Sequence, residues 1–264
     1  MIGGSGRSDR NGDDTKSGER TNDLKLIAEG LAAQGIGSLR TDKRGTAASA
    51  PAEPKPQDLR IGTYVDDAVS WARFLRAQPG VRCVVILGHS EGALLATLAA
   101  RRVKVCGLVL VSGTSRNLGD LIEAQNALAG RSAQTAARVH EIIGELRAGR
   151  PVADAPPEMK SVFGPDAQAY TLSEINLDPV AELARVKAPV LVIQGGNDLQ
   201  VNVDDARRLA AAKGVQPVIV AGMNHVLKLA PKTMIGNFMT YRNPDLPLAP
   251  GVLDAVVGFV RGRP

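Results

Sequence analysis

The chain has 264 residues, of which 44% are hydrophobic and 22% charged, and a net charge of +5; that supports one large α/β unit with a real core and argues against wholesale disorder. Aromatic residues are only 3% and the basic residues are scattered in pairs such as Arg101-Arg102, which argues against a nucleic-acid partner. No apolar run is long enough to span a bilayer, and the polar, glycine-rich start has no signal-peptide core, so the chain as it stands reads as cytoplasmic and without a membrane partner.

In chain order, the opening "MIGGSGRSD" is a glycine-rich loop. Residues 22–34 carry apolar positions at helical spacing, with Asn22 or Asp23 as N-cap and Gly35 as the stop. Residues 36–40 predict a short strand, followed by a polar loop and a proline-rich extended stretch at 50–57. A helix is predicted over 58–77, with Leu59, Tyr64, Ala68, Trp71 and Leu75 on one stripe and Pro79-Gly80 as its end. Buried strands are predicted at 81–87 and 103–111, with a helix at 93–102 between them. The alternation then lapses. Residues 118–149 hold two helical patterns and 150–165 a proline-bearing loop, so about 113–183 reads as an insertion over one end of the sheet, within a single domain spanning 1–264. It resumes with a strand at 188–194, a helix at 204–213, a strand at 216–221 and a closing helix at 251–260. Alternating helices and strands imply a mostly parallel sheet covered by helices on both faces.

The two cysteines, Cys83 and Cys106, lie in apolar strand-like runs without metal-type spacing and read as buried free thiols. Three histidines argue against a histidine-rich metal site, and no metal or cofactor is implied.

The most informative stretch is "VVILGHSEGALLA", residues 84–96. A buried strand runs into Gly88-His89-Ser90-Glu91-Gly92 and straight into a helix. A serine on such a turn is exposed at the carboxyl end of a strand, beside the free N–H groups of the new helix, and needs side-chain-free neighbours. A serine hydroxyl becomes a useful nucleophile only when a base takes its proton, and near neutral pH that base is histidine. His89 is inside the turn and should point elsewhere, and His140 reads as a solvated helix residue. His225 follows the strand 216–221 through "AGMNH", which puts it on the same edge as Ser90. Asp198, after "APVLVIQGGN", is the candidate carboxylate for that imidazole; Asp204 and Asp205 compete but fit better as helix-start residues. The oxyanion needs two backbone donors: the N–H of Glu91, and one from the glycine-rich start, with Ser5 chosen and Gly4 as the neighbouring alternative.

The chain resembles α/β-hydrolase-fold serine hydrolases, and more narrowly bacterial esterases of the dienelactone-hydrolase and prolyl-oligopeptidase-like group. The resemblance is carried by "GGSGRSDRNGD" (3–13), "RTDKRGTAAS" (40–49), "GHSEGALLA" (88–96), "PVLVIQGGNDLQV" (189–201) and "GMNHVLK" (222–228), in the expected order. It implies a nucleophile at Ser90, an acid at Asp198, a base at His225, oxyanion donors at Ser5 and Glu91, a cap shaping the acyl pocket, and hydrolysis of a small-molecule carboxylic ester through an acyl-enzyme without any cofactor. The family has three strands before the oxyanion loop, whereas Met1-Ile2 alone precede it here. A sheet of about five strands lacking its first members is therefore expected. The helix 22–34 should be poorly supported and the oxyanion loop loosely held, and a leader that would make the protein secreted could precede this start. The charged residues Asp9, Arg10, Lys43, Arg44, Glu91 and Lys228 read as ion pairs that fix loops; the competing idea is that Arg10 or Lys228 attracts an anionic acyl group. A serine aminopeptidase-like activity and a non-catalytic ligand-binding role are the alternatives to an esterase.

Overall fold

The computed structural model describes residues 1–14 and 16–263. Its centre is a parallel sheet of four strands: β1 (Val85–His89), β2 (Gly107–Val111), β3 (Val190–Gly195) and β4 (Val218–Val220), ordered β1-β2-β3-β4. The β-branched and leucine residues of these runs suit a pleated surface buried on both sides. In register, Leu87 faces Val109 and Val111 faces Ile193, so the carboxyl ends of the strands are aligned.

Side chains alternate between two cores, as the two-residue period of a strand requires. Ile86, Leu108, Leu110 and Val192 pack on one face beneath α2 (Ile61–Arg76), α3 (Glu91–Ala100), α8 (Pro179–Ala184) and α9 (Val203–Ala211). Leu87, Val109, Val111 and Ile193 pack on the other, beneath α1 (Asp23–Ala33) and α11 (Val252–Arg261). Between β2 and β3 the chain forms α4 (Leu118–Leu128), α5 (Ala133–Arg147), α6 (Lys160–Phe163), α7 (Pro165–Glu174) and α8. A third cluster, with Ile142, Ile143, Leu146, Phe163 and Ile175 at its centre, holds α4 to α7 together. The short α10 (Met234–Met239) follows the β4 loop.

Several expectations are corrected. Residues 36–40 run without strand pairing, joined to the start of the chain by one backbone hydrogen bond from Met1 N to Leu39 O (2.8 Å). The first residues bridge to β1: Ile2 N donates to Leu87 O (2.8 Å) and His89 N to Ile2 O (3.0 Å). Among the described residues the sheet thus has four strands plus this parallel bridge, rather than five. Trp71 lies 42% exposed, stacked edge-on against Phe74, because the buried stripe of α2 is Ile61, Val65, Ala68, Val69 and Ala72, the face turned to α3. The helix α1 is not poorly supported: Leu24, Ile27 and Leu31 are buried against the sheet and α11. Cys83 and Cys106 are not free thiols but a disulfide. They sit just ahead of the paired ends of β1 and β2, where Cys106 N donates to Val84 O, and the parallel pairing brings their Cα atoms to 5.8 Å. Among the described residues no helix is long and apolar enough to cross a membrane.

Ile27 is fully buried between the sheet and α11. Ile27→Ala should therefore cost about 2–5 kcal/mol of stability, read from the urea-unfolding midpoint. A loss under about 0.5 kcal/mol, the range of a surface substitution, would contradict this packing.

Candidate active site

Ser90 terminates β1 in a backbone conformation of φ 55°, ψ −124°, which a residue with a side chain adopts only under constraint. The constraint is local. Ser90 N donates to Val111 O (2.9 Å) and Ser90 O accepts from Ala93 N (2.9 Å), so the turn is pinned to β2 and to α3 at once. The flanking glycines are required by close approach. A Cβ on Gly88 would lie 2.0 Å from Gly92 O, and one on Gly92 would lie 2.4 Å from Ile2 O. A side chain at either position would force apart the strand, the helix or the first residues of the chain.

Asp198 arrives from the loop after β3 and His225 from the loop after β4. Asn197 N donates to Met223 O (2.9 Å) and Gly196 N to Val220 O (2.9 Å), tying the loop after β3 to the loop after β4. The outcome is a relay of hydrogen bonds. The Ser90 hydroxyl donates to His225 Nε2 (3.0 Å), and His225 Nδ1–H donates to Asp198 Oδ2 (2.9 Å). A carboxylate oxygen can only accept, so the proton on the neutral ring belongs on Nδ1 and the lone pair on Nε2 faces the serine. Asp198 also accepts from Gln200 N (2.8 Å), Val201 N (3.0 Å) and Gln194 Nε2 (2.9 Å), and its side chain is fully buried.

The electrostatics are those of a compensated buried pair. Burial alone would raise the Asp198 carboxyl, but His225 and the N–H groups of Val201 and Gln200 outweigh it and hold the group below its ordinary 3.8. Burial would lower the His225 imidazole, but Asp198, with Asp23 and Glu19, holds it above its ordinary 6.5. His89 behaves oppositely. Burial and the neighbouring His225 push it down to about 4, so it is neutral, and its Nε2–H donates to the His225 carbonyl (2.8 Å). It points away from the serine hydroxyl and braces the His225 loop from beneath. Its Nδ1 lies 3.5 Å from Asp23, whose carboxyl burial drives up to about 7. His140 is exposed on α5 and contacts Glu123.

The competing carboxylates are occupied elsewhere. Asp205 closes a capping box with Asn202 at the start of α9 and binds Ser115 and Arg116 on the loop after β2. Asp204 is exposed and pairs with Arg207 (2.8 Å). Of the charges in the recognised motifs, Arg10 pairs with Asp42 (2.6 Å), Arg44 with Asp67 (2.6 Å) and Lys43 with Glu91 (2.9 Å). Lys228 is fully buried and donates to Leu246 O (2.6 Å). All four tie loops together.

Gly4 is the residue of the glycine-rich start that packs on the serine: a Cβ there would be 3.1 Å from Ser90 Cβ. Ser5 follows it at the surface. Among the described residues the N–H groups of Gly4, Ser5 and Glu91 donate to no protein acceptor. The loop is firmly held, not loose, by Ile2 on β1 and by the Ser8 hydroxyl on Gly4 O (3.1 Å) and Ser5 O (3.2 Å). Sequence reasoning missed two parts of this neighbourhood. Gln194, a polar residue ending an apolar strand, was a readable signal. The cluster of Glu91, Tyr170 and Glu174 was not, because α7 meets α3 only through the tertiary fold, where Tyr170 OH donates to Glu91 Oε1 (3.0 Å).

A parallel sheet between helical layers, with serine, histidine and aspartate joined above its carboxyl edge, defines an α/β hydrolase architecture. Residues 24–233 match the alpha/beta hydrolase family, and the chain belongs to it. Among characterised relatives, Esterase EstD of Thermotoga maritima is 29% identical over 232 residues, which is 86% of this chain and 53% of EstD. The chain thus spans about half the length of that relative. Among solved structures, Est1E of Butyrivibrio proteoclasticus, determined with ferulic acid bound, superposes with a TM-score of 0.56 at 17% identity, covering 98% of this chain and 84% of Est1E. A hydrolase from Oleispira antarctica gives 0.56 at 14% identity, covering 93% and 88%.

The His225–Asp198 pair makes a signed pH prediction. His225, raised in the folded state, adds stability that is fully present below pH 6.5 and lost as pH rises through its folded value. Asp198, lowered, adds stability that is present above pH 3.8 and lost as pH falls through its folded value. In an NMR titration His225 should protonate above 6.5, and Asp198→Asn should bring that midpoint down. A midpoint unmoved by the substitution would refute the coupling. Gly92→Ala should expose the His89 and Ile2 amides to faster hydrogen exchange, since the new methyl group displaces residues 2–3 from β1.

Proposed function

We propose that this protein is a serine esterase acting on small-molecule carboxylic esters, with Ser90 as nucleophile, His225 as general base and Asp198 as the carboxylate that orients and stabilises it. The observation that carries the reading is the continuous Ser90–His225–Asp198 hydrogen-bonded line, at 3.0 and 2.9 Å, beside a serine held in a strained turn. His225 Nε2 takes the hydroxyl proton as Ser90 Oγ attacks the ester carbonyl. The developing oxyanion is met by the N–H of Glu91 at the start of α3 and by that of Ser5, with Gly4 adjoining. The imidazolium then protonates the leaving alcohol, and water, deprotonated by the same imidazole, hydrolyses the acyl-enzyme. The segment α4 to α8 serves as a cap over the acyl site, joined to the serine turn through Tyr170 on Glu91 and to the start of α2 through Ser173 Oγ, which accepts from Ile61 N (2.8 Å). The esterase naming of EstD supports the same chemistry.

Wild-type protein should hydrolyse aryl acetates and be labelled on Ser90 by a fluorophosphonate. Ser90→Ala should abolish labelling and reduce kcat by at least about 10⁴-fold. The acid limb of kcat/KM should lie above pH 6.5, because the base must be neutral to work and its ionisation is raised. Folded protein that is neither labelled nor active would favour a ligand-binding role. Cleavage of a dipeptide anilide in preference to the ester would favour a peptidase.

A further inference from the structure

We infer that Lys43 is a positioning residue for the oxyanion site, a single buried ammonium that sets both backbone donors; this rests on the esterase reading above. Lys43 stands in the loop after residues 36–40, and its side chain is 8% exposed. Its Nζ donates to Gly4 O (2.5 Å) and to Glu91 Oε2 (2.9 Å), and the Tyr64 ring lies beneath it with the centroid 5.0 Å away.

Each contact bears on one donor. Gly4 C=O and Ser5 N–H belong to the same planar trans peptide, in which the oxygen and the hydrogen point in opposite directions. A cation gripping Gly4 O therefore fixes where the Ser5 N–H aims, and it also polarises that amide so that the N–H is a stronger donor. The Ser8 hydroxyl grips the same oxygen from its own side (3.1 Å). The second contact holds the Glu91 side chain, whose backbone N–H is the donor at the first turn of α3. Tyr170 OH holds the other Glu91 oxygen (3.0 Å), so the carboxylate is clamped on both sides.

The charge balance is consistent with this arrangement. The groups facing Lys43 and Glu91 are Tyr64 from α2, Tyr170 and Glu174 from α7, and the Gly4 carbonyl. Burial, and then the nearby Glu91, push the Glu174 carboxyl up to about 8, so it is neutral at pH 7. Burial and Glu91 likewise keep Tyr64 and Tyr170 un-ionised. Lys43 and Glu91 form an ion pair in a largely buried pocket, their side chains 8% and 12% exposed. Such a pair is a poor source of net stability and a good source of fixed geometry. Two loops from distant parts of the sequence are held in one register by one charge.

The test uses a Lys43→Met variant, which keeps the stem and removes the charge, assayed on an aryl acetate and with an aryl trifluoromethyl ketone. Ser90 Oγ adds to the ketone carbon, its proton passes to His225 Nε2, and the former carbonyl oxygen becomes an oxyanion in the same site as in ester hydrolysis. Loss of donor alignment should lower kcat by about 10- to 100-fold with KM changed less than about twofold, and should weaken inhibitor binding by the same factor as kcat/KM. Lys43→Arg should recover little, because a fork of donors does not replace a point charge. Unchanged kcat, or a fall in kcat with unchanged inhibitor affinity, overturns the inference, as a merely structural lysine would not move the two together. If Lys43→Met does not fold, Lys43→Gln, neutral but polar, decides by the same two readouts: a parallel loss in kcat and inhibitor affinity supports the inference, whereas no change in either overturns it. A folded wild-type protein that neither hydrolyses the ester nor labels at Ser90 overturns the esterase reading itself, and the inference with it.

Discussion

The left-handed backbone at Ser90 is the constraint on which the site depends. A serine at φ 55° is strained, and the strain persists because three separate parts of the chain hold it. Ser90 N–H donates to Val111 O, its carbonyl accepts from Ala93 N–H, and residues 2–3 lie against Gly92 so closely that no side chain fits between. The strand cannot continue and the helix cannot start one residue later. The hydroxyl is left above the sheet edge, with the unpaired amides of the α3 start beside it.

From that fixed point the parallel register does the rest. Because β1, β2 and β3 pair in parallel and nearly in step, their following loops leave from the same edge. The loops after β3 and β4 are then bonded to each other, which carries Asp198 to within hydrogen-bonding distance of His225, and His225 to within hydrogen-bonding distance of Ser90. The electrostatic cost of burying this trio is offset by the bonds it makes. Both Asp198 oxygens accept hydrogen bonds, and against burial Asp198, with Asp23 and Glu19, holds the imidazole above its ordinary value. His89 uses its burial differently: kept neutral, it supports the His225 carbonyl and takes no part in the relay.

Around this centre the charged loop residues act as ties. Arg10 on Asp42, Arg44 on Asp67 and Lys43 on Glu91 connect the glycine-rich start, the loop at 41–49, α2 and α3. The first two are partly exposed and screened by water, so they contribute mainly to the direction of the chain. The third is shielded, and its geometry is correspondingly strict. The helices between β2 and β3 bring their own apolar cluster, pack on α3 through α8, and reach the serine turn through Tyr170 on Glu91.

The sequence by itself determined the parallel α/β order, the serine turn and the three side chains that meet above the sheet. These follow from short-range rules: apolar runs bounded by glycine, a turn too tight for side chains, and polar residues just past strand ends. What lay beyond it was whatever depends on which neighbour is present. Residues 36–40 have strand-like composition but pair with no strand among the described residues, and the face of α2 that is buried was chosen by α3, leaving Trp71 outside. Cys83 and Cys106 become bonded only because β1 and β2 are adjacent. The same holds for Lys43, which in sequence is one more loop charge. Only the folded chain, by closing the loop at 41–49 over both Gly4 and Glu91, decided what that charge touches, since contacts across tens of residues leave no periodic trace along the chain.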